Sequence, residues 1–251
     1  MTTETSVKGR RLTAGCKHGR HRWTEGKQHV PVVIAFISQK GGVGKSTLAR
    51  ALAAITTAAG FSVKLADLDP LQRTLLLWDK TRKQNNLEPA LVVESFAEEG
   101  EALAQARGVD LLILDTPAQV KDNTMNVARR AHLIVQPTGP SLDDLHPSVL
   151  LFRALGNLGI PHERLIFAIT RFLSAREEER SRAFLTAEGY VVLPGGIPER
   201  IAYRDAHDHG LALTETDDDP HDEQSLALMG DLYLRVTVAV EASKKRKQAR
   251  E

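Results

Sequence analysis

The sequence predicts a single α/β domain: a mainly parallel sheet with helices packed on both faces. Apolar runs rich in β-branched residues recur along the chain, with helical or polar stretches between them, the pattern of repeated right-handed β–α–β crossovers. One such run, VPVVIAFIS at 30–38, is continuously apolar, as a parallel strand covered on both faces must be, and it opens directly into a glycine-rich loop. Hydrophobic residues make up 42% of the 251 residues and aromatics only 5%, a balance suited to helix–sheet layers rather than to an aromatic-rich sandwich. At this length one core buries roughly three quarters of the unfolded surface, so no second domain is required.

Each element has its own signal. After the glycine loop, STLARALAAITTAAG runs from Ser46 as a helix and stops at Gly60, the residue type that ends helices. Further buried strands are expected at 62–67 (SVKLAD), 90–95 (ALVVES), 109–115 (VDLLILD), 131–136 (AHLIVQ) and 164–170 (RLIFAIT). ETDDDPHDEQ at 215–224 reads as an acidic, solvated loop. A last amphipathic helix follows, whose stripe Met229, Leu232, Tyr233, Val236 and Val240 has the spacing of a face packed on the core.

The net charge of +1 conceals an uneven distribution. Residues 1–30 hold seven Lys or Arg against two Glu, and residues 241–251 hold five against two, which leaves an acidic body between basic ends. Both ends read as poorly ordered arms, at 1–30 and 241–251, flanking a folded domain at 31–240; such arms are either solubilising tails or contacts for nucleic acid. The single cysteine, Cys16, excludes a disulfide framework and a multi-cysteine metal site within one chain, and fits a reducing cytoplasm. No apolar leader occurs in the first thirty residues, and no run of eighteen apolar residues occurs anywhere.

The loop QKGGVGKST carries the strongest chemical signal. Gly41, Gly42 and Gly44, with Val43 between them, let successive backbone N–H groups turn towards phosphate oxygens, and the following helix presents its positive end to the same anion. Lys45 is placed to bridge β- and γ-phosphates, Ser46 to offer its hydroxyl to Mg²⁺, and Thr47 to reach the α-phosphate. The ordinary phosphate-binding loop has a glycine where this chain has Gln39, and Lys40 follows directly, so a second cation stands beside the phosphates.

Two acidic strand ends complete the set. ADLDP puts Asp67 and Asp69 just beyond one strand and LLILDTP puts Asp115 at the end of another, on the sheet edge where open α/β sheets bind ligands. Asp115 has the form of the aspartate that supports Mg²⁺, and Asp67 or Asp69 is positioned to orient the attacking water; D-x-D-P also suits a turn.

At these residues the chain resembles the ParA/MinD family of deviant Walker A ATPases, P-loop NTPases whose signature K-G-G-x-G-K-[ST]-T matches KGGVGKST in full. DLDP and LLILDTP correspond to the family's two following switch segments, and IPERIAYRDAHDHGLALTE at 197–215 resembles a late segment of plasmid-partition ParA proteins. The resemblance implies that Lys40 reaches across an ATP sandwich dimer to the partner's phosphates, that Asp69 rather than Asp67 orients water while Asp67 lies near the metal, and that Pro198 and its loop stand beside the base. It implies ATP and Mg²⁺ as ligands, a homodimer on ATP, nonspecific DNA binding in the nucleoid and stimulation by a ParB-like centromere-binding adaptor. Departures occur at TRF (170–172), where many relatives have Asn-Arg near the adenine, and at LIVQPTGPSLDD (133–144).

The lone cysteine argues against iron-protein and arsenite-pump relatives, the tail EASKKRKQARE lacks a kinase-type tyrosine cluster, and its charge argues against a MinD-like terminal membrane helix. The favoured function is an ATP-driven DNA-segregation ATPase; a nucleotide-switched transcriptional regulator and a MinD-like positioning ATPase are the alternatives. A synthetase of related fold would have no need of Lys40. DNA contacts are expected at Arg171, Arg176, Arg200 and Arg204, or on the basic tail at Lys244, Lys245, Arg246 and Lys247.

Overall fold

A computed structural model describes residues 30–118, 122–216 and 223–248. The N-terminal arm, most of the acidic loop, residues 249–251 and the side chain of Lys247 lie outside the described residues. The strands are β1 (Val32–Phe36), β2 (Val63–Asp67), β3 (Val92–Ser95), β4 (Leu111–Asp115), β5 (Leu133–Thr138), β6 (Leu165–Phe172), β7 (Val191–Val192) and β8 (Ile197–Pro198). The helices are α1 (Lys45–Ala58), α2 (Thr74–Gln84), α3 (Glu99–Gln105), α4 (Asp122–Arg130), α5 (Leu142–Asn157), α6 (Ala175–Ala187), α7 (Ile201–Asp208) and α8 (Glu223–Gln248).

The eight strands form one sheet in the order β3-β2-β4-β1-β5-β6-β7, with β8 pairing β6 off that path, and every pairing is parallel. β1 lies at the centre because it is apolar on both faces: Val32, Ile34 and Phe36 pack under α1, α2 and α8, while Val33 and Ala35 pack under α3 to α6. The period of two in side-chain direction thus divides one strand between two cores. β1 sits between β4 and β5, so the loop that leaves it emerges where the chain's crossovers diverge to the two sides of the sheet, the place where open α/β sheets gather ligands.

Each strand run expected from the sequence holds a strand. β7 and β8, of two residues each within VVLPGGIPER, were below the length that periodicity detects. The stripe of α8 is packed as expected, with Met229, Leu232, Val236 and Val240 buried and Tyr233 half-buried. The expected poorly ordered C-terminal arm differs: α8 continues to Gln248, so Lys244, Lys245 and Arg246 stand on its last turns. Glu, Ala, Lys, Arg and Gln are strong helix formers, and helix propagation past Val240 adds hydrogen bonds without a new nucleus.

Candidate nucleotide-binding site

The loop between β1 and α1 is built from backbone that only glycine adopts freely. Gly42 and Gly44 have φ of 71° and 94°, and Gly44 is the N-cap of α1, with no side chain capping the helix. The first N–H groups of α1 therefore stay open to an external acceptor, beside the positive end of the helix dipole. Thr170, buried near the carboxyl end of β6, supports the loop from below: its hydroxyl donates to the Val43 carbonyl at 2.8 Å, and its Cγ2 lies 3.6 Å from where a Gly44 Cβ would stand. The threonine of TRF thus has a structural use in this chain.

Ser46 and Asp115 meet at the next layer, where the Ser46 hydroxyl donates to Asp115 Oδ2 at 2.6 Å. Asp115 is buried, and its Oδ1 finds no hydrogen-bond partner among the described residues. Burial pushes the carboxyl up to about 7; the Ser46 hydrogen bond and the Lys45 and Arg50 charges oppose that rise, and the Asp67 carboxylate adds to it. A buried carboxylate oxygen left unpaired next to a serine hydroxyl is the donor set that a hard divalent cation completes, so these residues fit Mg²⁺.

Lys45 is buried and its ammonium donates to the Lys40 carbonyl at 3.1 Å, closing the loop. Burial lowers its pKa, and Asp115 and Asp69 counteract this. Lys40 points the other way: its Nζ lies 2.7 Å from Asp144 Oδ1, near the start of α5. Burial works to raise the Asp144 carboxyl, but hydrogen bonds from Lys40 and Ser141, with the nearby Lys40 and Arg171 charges, hold it below the usual carboxylate range. Asp144 is also closely seated, since a Cβ on Gly139 would come within 2.5 Å of its Oδ2. A cleft of about 310 Å³ opens here, lined by Gly41, Val43, Gly139, Asp144, Arg171 and Glu199 among others.

The two carboxylates of DLDP take different places. Asp67 is buried; Oδ1 accepts the Asp69 N–H at 2.9 Å and Oδ2 the Leu75 N–H at 3.1 Å, so it holds the loop leading into α2. The turn use of D-x-D-P is therefore present in Asp67, whose expected place was near the metal. Asp69 stands half-buried at the loop surface, its carboxylate accepting the Gln72 N–H at 3.1 Å.

The residues expected to meet DNA fall into two separate groups. Arg171 and Arg204 both reach Glu199, at 2.9 and 2.6 Å, and Arg171 also donates to the Gly42 carbonyl. Arg176 is exposed on the first turn of α6; Arg200 lines a second cleft of about 340 Å³ with Pro198, Phe172 and Leu173. These arginines share the sheet edge that carries the glycine loop. Lys244, by contrast, pairs with Asp110 at 2.7 Å, at the amino end of β4, and lies 5.6 Å over the Phe61 ring. Lys245 and Arg246 are exposed beside it.

Residues 34–213 match the profile of the CobQ/CobB/MinD/ParA nucleotide-binding domain. The chain belongs to this family. It is 33% identical over 138 residues to the maintenance of carboxysome distribution protein A of Gloeobacter kilaueensis, covering 54% of this chain and 62% of that relative's length. A plasmid partition protein of Borrelia burgdorferi bound to AMPPNP has the same fold, with a TM-score of 0.61 and 17% identity over 85% of this chain and 99% of that one. So has the septum site-determining protein MinD of Pyrococcus horikoshii complexed with Mg-ADP, at 0.60 and 18% over 80% and 95%. Sequence reasoning noted Thr170 only as a departure from the family pattern and missed Asp144 and Arg50; of these two, Asp144 had a local signal, the S-x-x-D spacing of a helix start with Ser141.

Proposed function

We propose that this family member is an ATPase that dimerises on Mg-ATP, binds DNA without sequence preference and is released when a ParB-like adaptor stimulates hydrolysis. The observation that carries the reading is the pairing of a phosphate loop built for one nucleotide with a second lysine directed away from it: the Lys45 ammonium donates to the loop's own Lys40 carbonyl, while the Lys40 ammonium reaches Asp144 at the start of α5 and is 41% exposed. An ammonium placed there serves phosphates held by another subunit, and charge neutralisation then depends on two chains and two nucleotides being assembled.

In this reading Gly41, Gly42, Val43, Gly44 and Thr47 offer N–H and hydroxyl donors to the phosphates, and Pro198 borders the base. Ser46 and Asp115 hold the metal, which offsets phosphate charge when bound. Asp69, on a loop that Asp67 pins, orients the attacking water. The support for ATP and Mg²⁺ lies in the unpaired oxygen of Asp115, the bare N-cap of α1 and the nucleotides bound by the two structural relatives. Cytoplasmic location on the nucleoid follows from DNA binding. No helix among the described residues is long and apolar enough to cross a membrane.

The cargo has two readings. Plasmid or chromosome segregation follows from the partition-type signature, whereas the carboxysome-distribution relative favours a protein assembly carried on the same DNA-bound track. Duplex binding at several salt concentrations, with ATP, with ADP and without nucleotide, tests the shared step. Binding is expected only with ATP, to unrelated duplexes alike, with log K falling against log salt by about 0.9 per phosphate neutralised. Absence of DNA binding in every state removes both readings, and tight binding to one duplex alone turns the protein into a regulator.

A further inference from the structure

Arg50 lies one turn beyond Ser46 on the same face of α1, and nothing in its sequence context marks it. It is buried, yet among the described residues its guanidinium makes a single hydrogen bond, from Nη2 to the Thr74 carbonyl at 3.2 Å, and its Nε has no partner. The guanidinium lies 5.2 Å over the ring of Trp78. A buried guanidinium with so few partners is costly unless its charge is used. Burial lowers its pKa to about 10, with the carboxylates of Asp115, Asp67 and Asp208 restoring part of the loss.

These contacts bracket the Asp69 loop. Asp67 holds the N–H groups of Asp69 and Leu75, while Arg50 holds the carbonyl of Thr74, the first residue of α2. Arg73, just before it, is in the left-handed region at φ 51°, a conformation that a non-glycine residue keeps only when its surroundings impose it. Ser46 joins the Asp115 side of the site to α1, and Arg50, four residues on, joins α1 to α2.

We infer that Arg50 is a positioning residue that fixes the Asp69 loop to the phosphate-loop helix, so that occupancy at Ser46 and Asp115 sets where Asp69 stands. The inference rests on the ATPase reading above. It assigns Arg50 to the rate of hydrolysis and not to nucleotide affinity, because its hydrogen bond and its stacked ring both belong to α2, into which the loop carrying the water-orienting carboxylate leads, and among the described residues none of its hydrogen bonds goes to the phosphate loop. Trp78 is its reporter, since the ring under the guanidinium shifts environment whenever α2 moves.

The test uses the full chain in a Trp23→Phe background, so that Trp78 is the remaining tryptophan. Arg50→Met is expected to lower kcat at least tenfold with ATP affinity changed less than threefold, and to abolish the ATP-dependent change in Trp78 emission. Arg50→Lys, which keeps the charge but not the planar stack, should recover part of both. An Arg50→Met protein with kcat within twofold of the parent, or one whose ATP affinity falls in step with its rate, overturns the inference. If the parent itself does not hydrolyse ATP, the function reading fails separately. Trp78 then still decides: an ATP-dependent emission change in the parent that Arg50→Met lacks supports the link, and no change in the parent refutes it.

Discussion

Lys40 Nζ and Asp144 Oδ1 stand 2.7 Å apart within one chain, 104 residues apart in sequence. The lysine that the proposed dimer needs in trans is therefore held in cis by a carboxylate at the start of α5. The pair is 41% and 21% exposed, so the bond is worth roughly 0.5–1 kcal/mol, enough to bias Lys40 without locking it.

Asp144→Asn should accordingly release Lys40 and lower the ATP concentration at which the dimer forms, by about two- to fivefold for a bond of that strength. Light scattering across an ATP titration measures this. A dimer that weakens in the variant would show that Asp144 belongs to the interface and not to a competing contact.

Asp69 and Asp115 should separate binding from turnover. Asp115→Ala removes the buried acceptor of Ser46 and is expected to weaken Mg²⁺-dependent nucleotide binding by about tenfold or more. Asp69→Ala should leave affinity within about threefold and accumulate an ATP-bound dimer. Equal loss of affinity in both variants, read by nucleotide titration with and without Mg²⁺, would contradict the division.

His207 predicts a pH dependence of stability. Burial drives its pKa from 6.5 down to about 4, with the Arg50 charge adding to the shift and Asp208 opposing it, and its Nε2 has no partner among the described residues. The unfolded chain then takes up a proton below pH 6.5 that the folded one refuses until near pH 4, so stability falls as pH drops through that window. Between pH 7.5 and 5.5 the loss is about 1 kcal/mol, and His207→Gln should flatten the urea midpoint over that range relative to the parent. An unchanged slope would place His207 in contact with water.

Gln136 lies fully buried on β5 with both amide atoms unpaired among the described residues. Gln136→Met keeps the volume and removes the unpaired groups, and should raise the unfolding free energy by about 1 kcal/mol. A loss of stability would mean that the amide binds an internal water.

How much of this was legible in the sequence follows from the range of the interactions. The run at 30–38, the positive-φ glycines and the helix from Ser46 are dictated within about twenty residues, and strand, loop and helix occur as expected. Strand order is set by which crossovers cover which apolar face, a comparison of whole arrangements that no local window contains. The same holds for Lys40 with Asp144 and Arg50 with Thr74. Both join elements at the carboxyl edge of the sheet only because β1 lies between β4 and β5 and next but one to β2. Asp67 and Asp69 show the limit from within a single motif: the spacing puts both carboxylates at the strand end, and only backbone direction decides that Asp67 turns inward to cap the loop.

The central claim, that Lys45 serves its own subunit's nucleotide and Lys40 the partner's, is tested most directly by measuring molar mass and ATP binding together for the parent, Lys45→Ala and Lys40→Ala with Mg-ATP. The parent should scatter at twice the 27.6 kDa chain mass, Lys45→Ala should lose most nucleotide binding, and Lys40→Ala should bind ATP yet stay at the monomer mass without stimulated turnover. A Lys40→Ala protein that dimerises on ATP and hydrolyses it at the parent's rate would contradict the account.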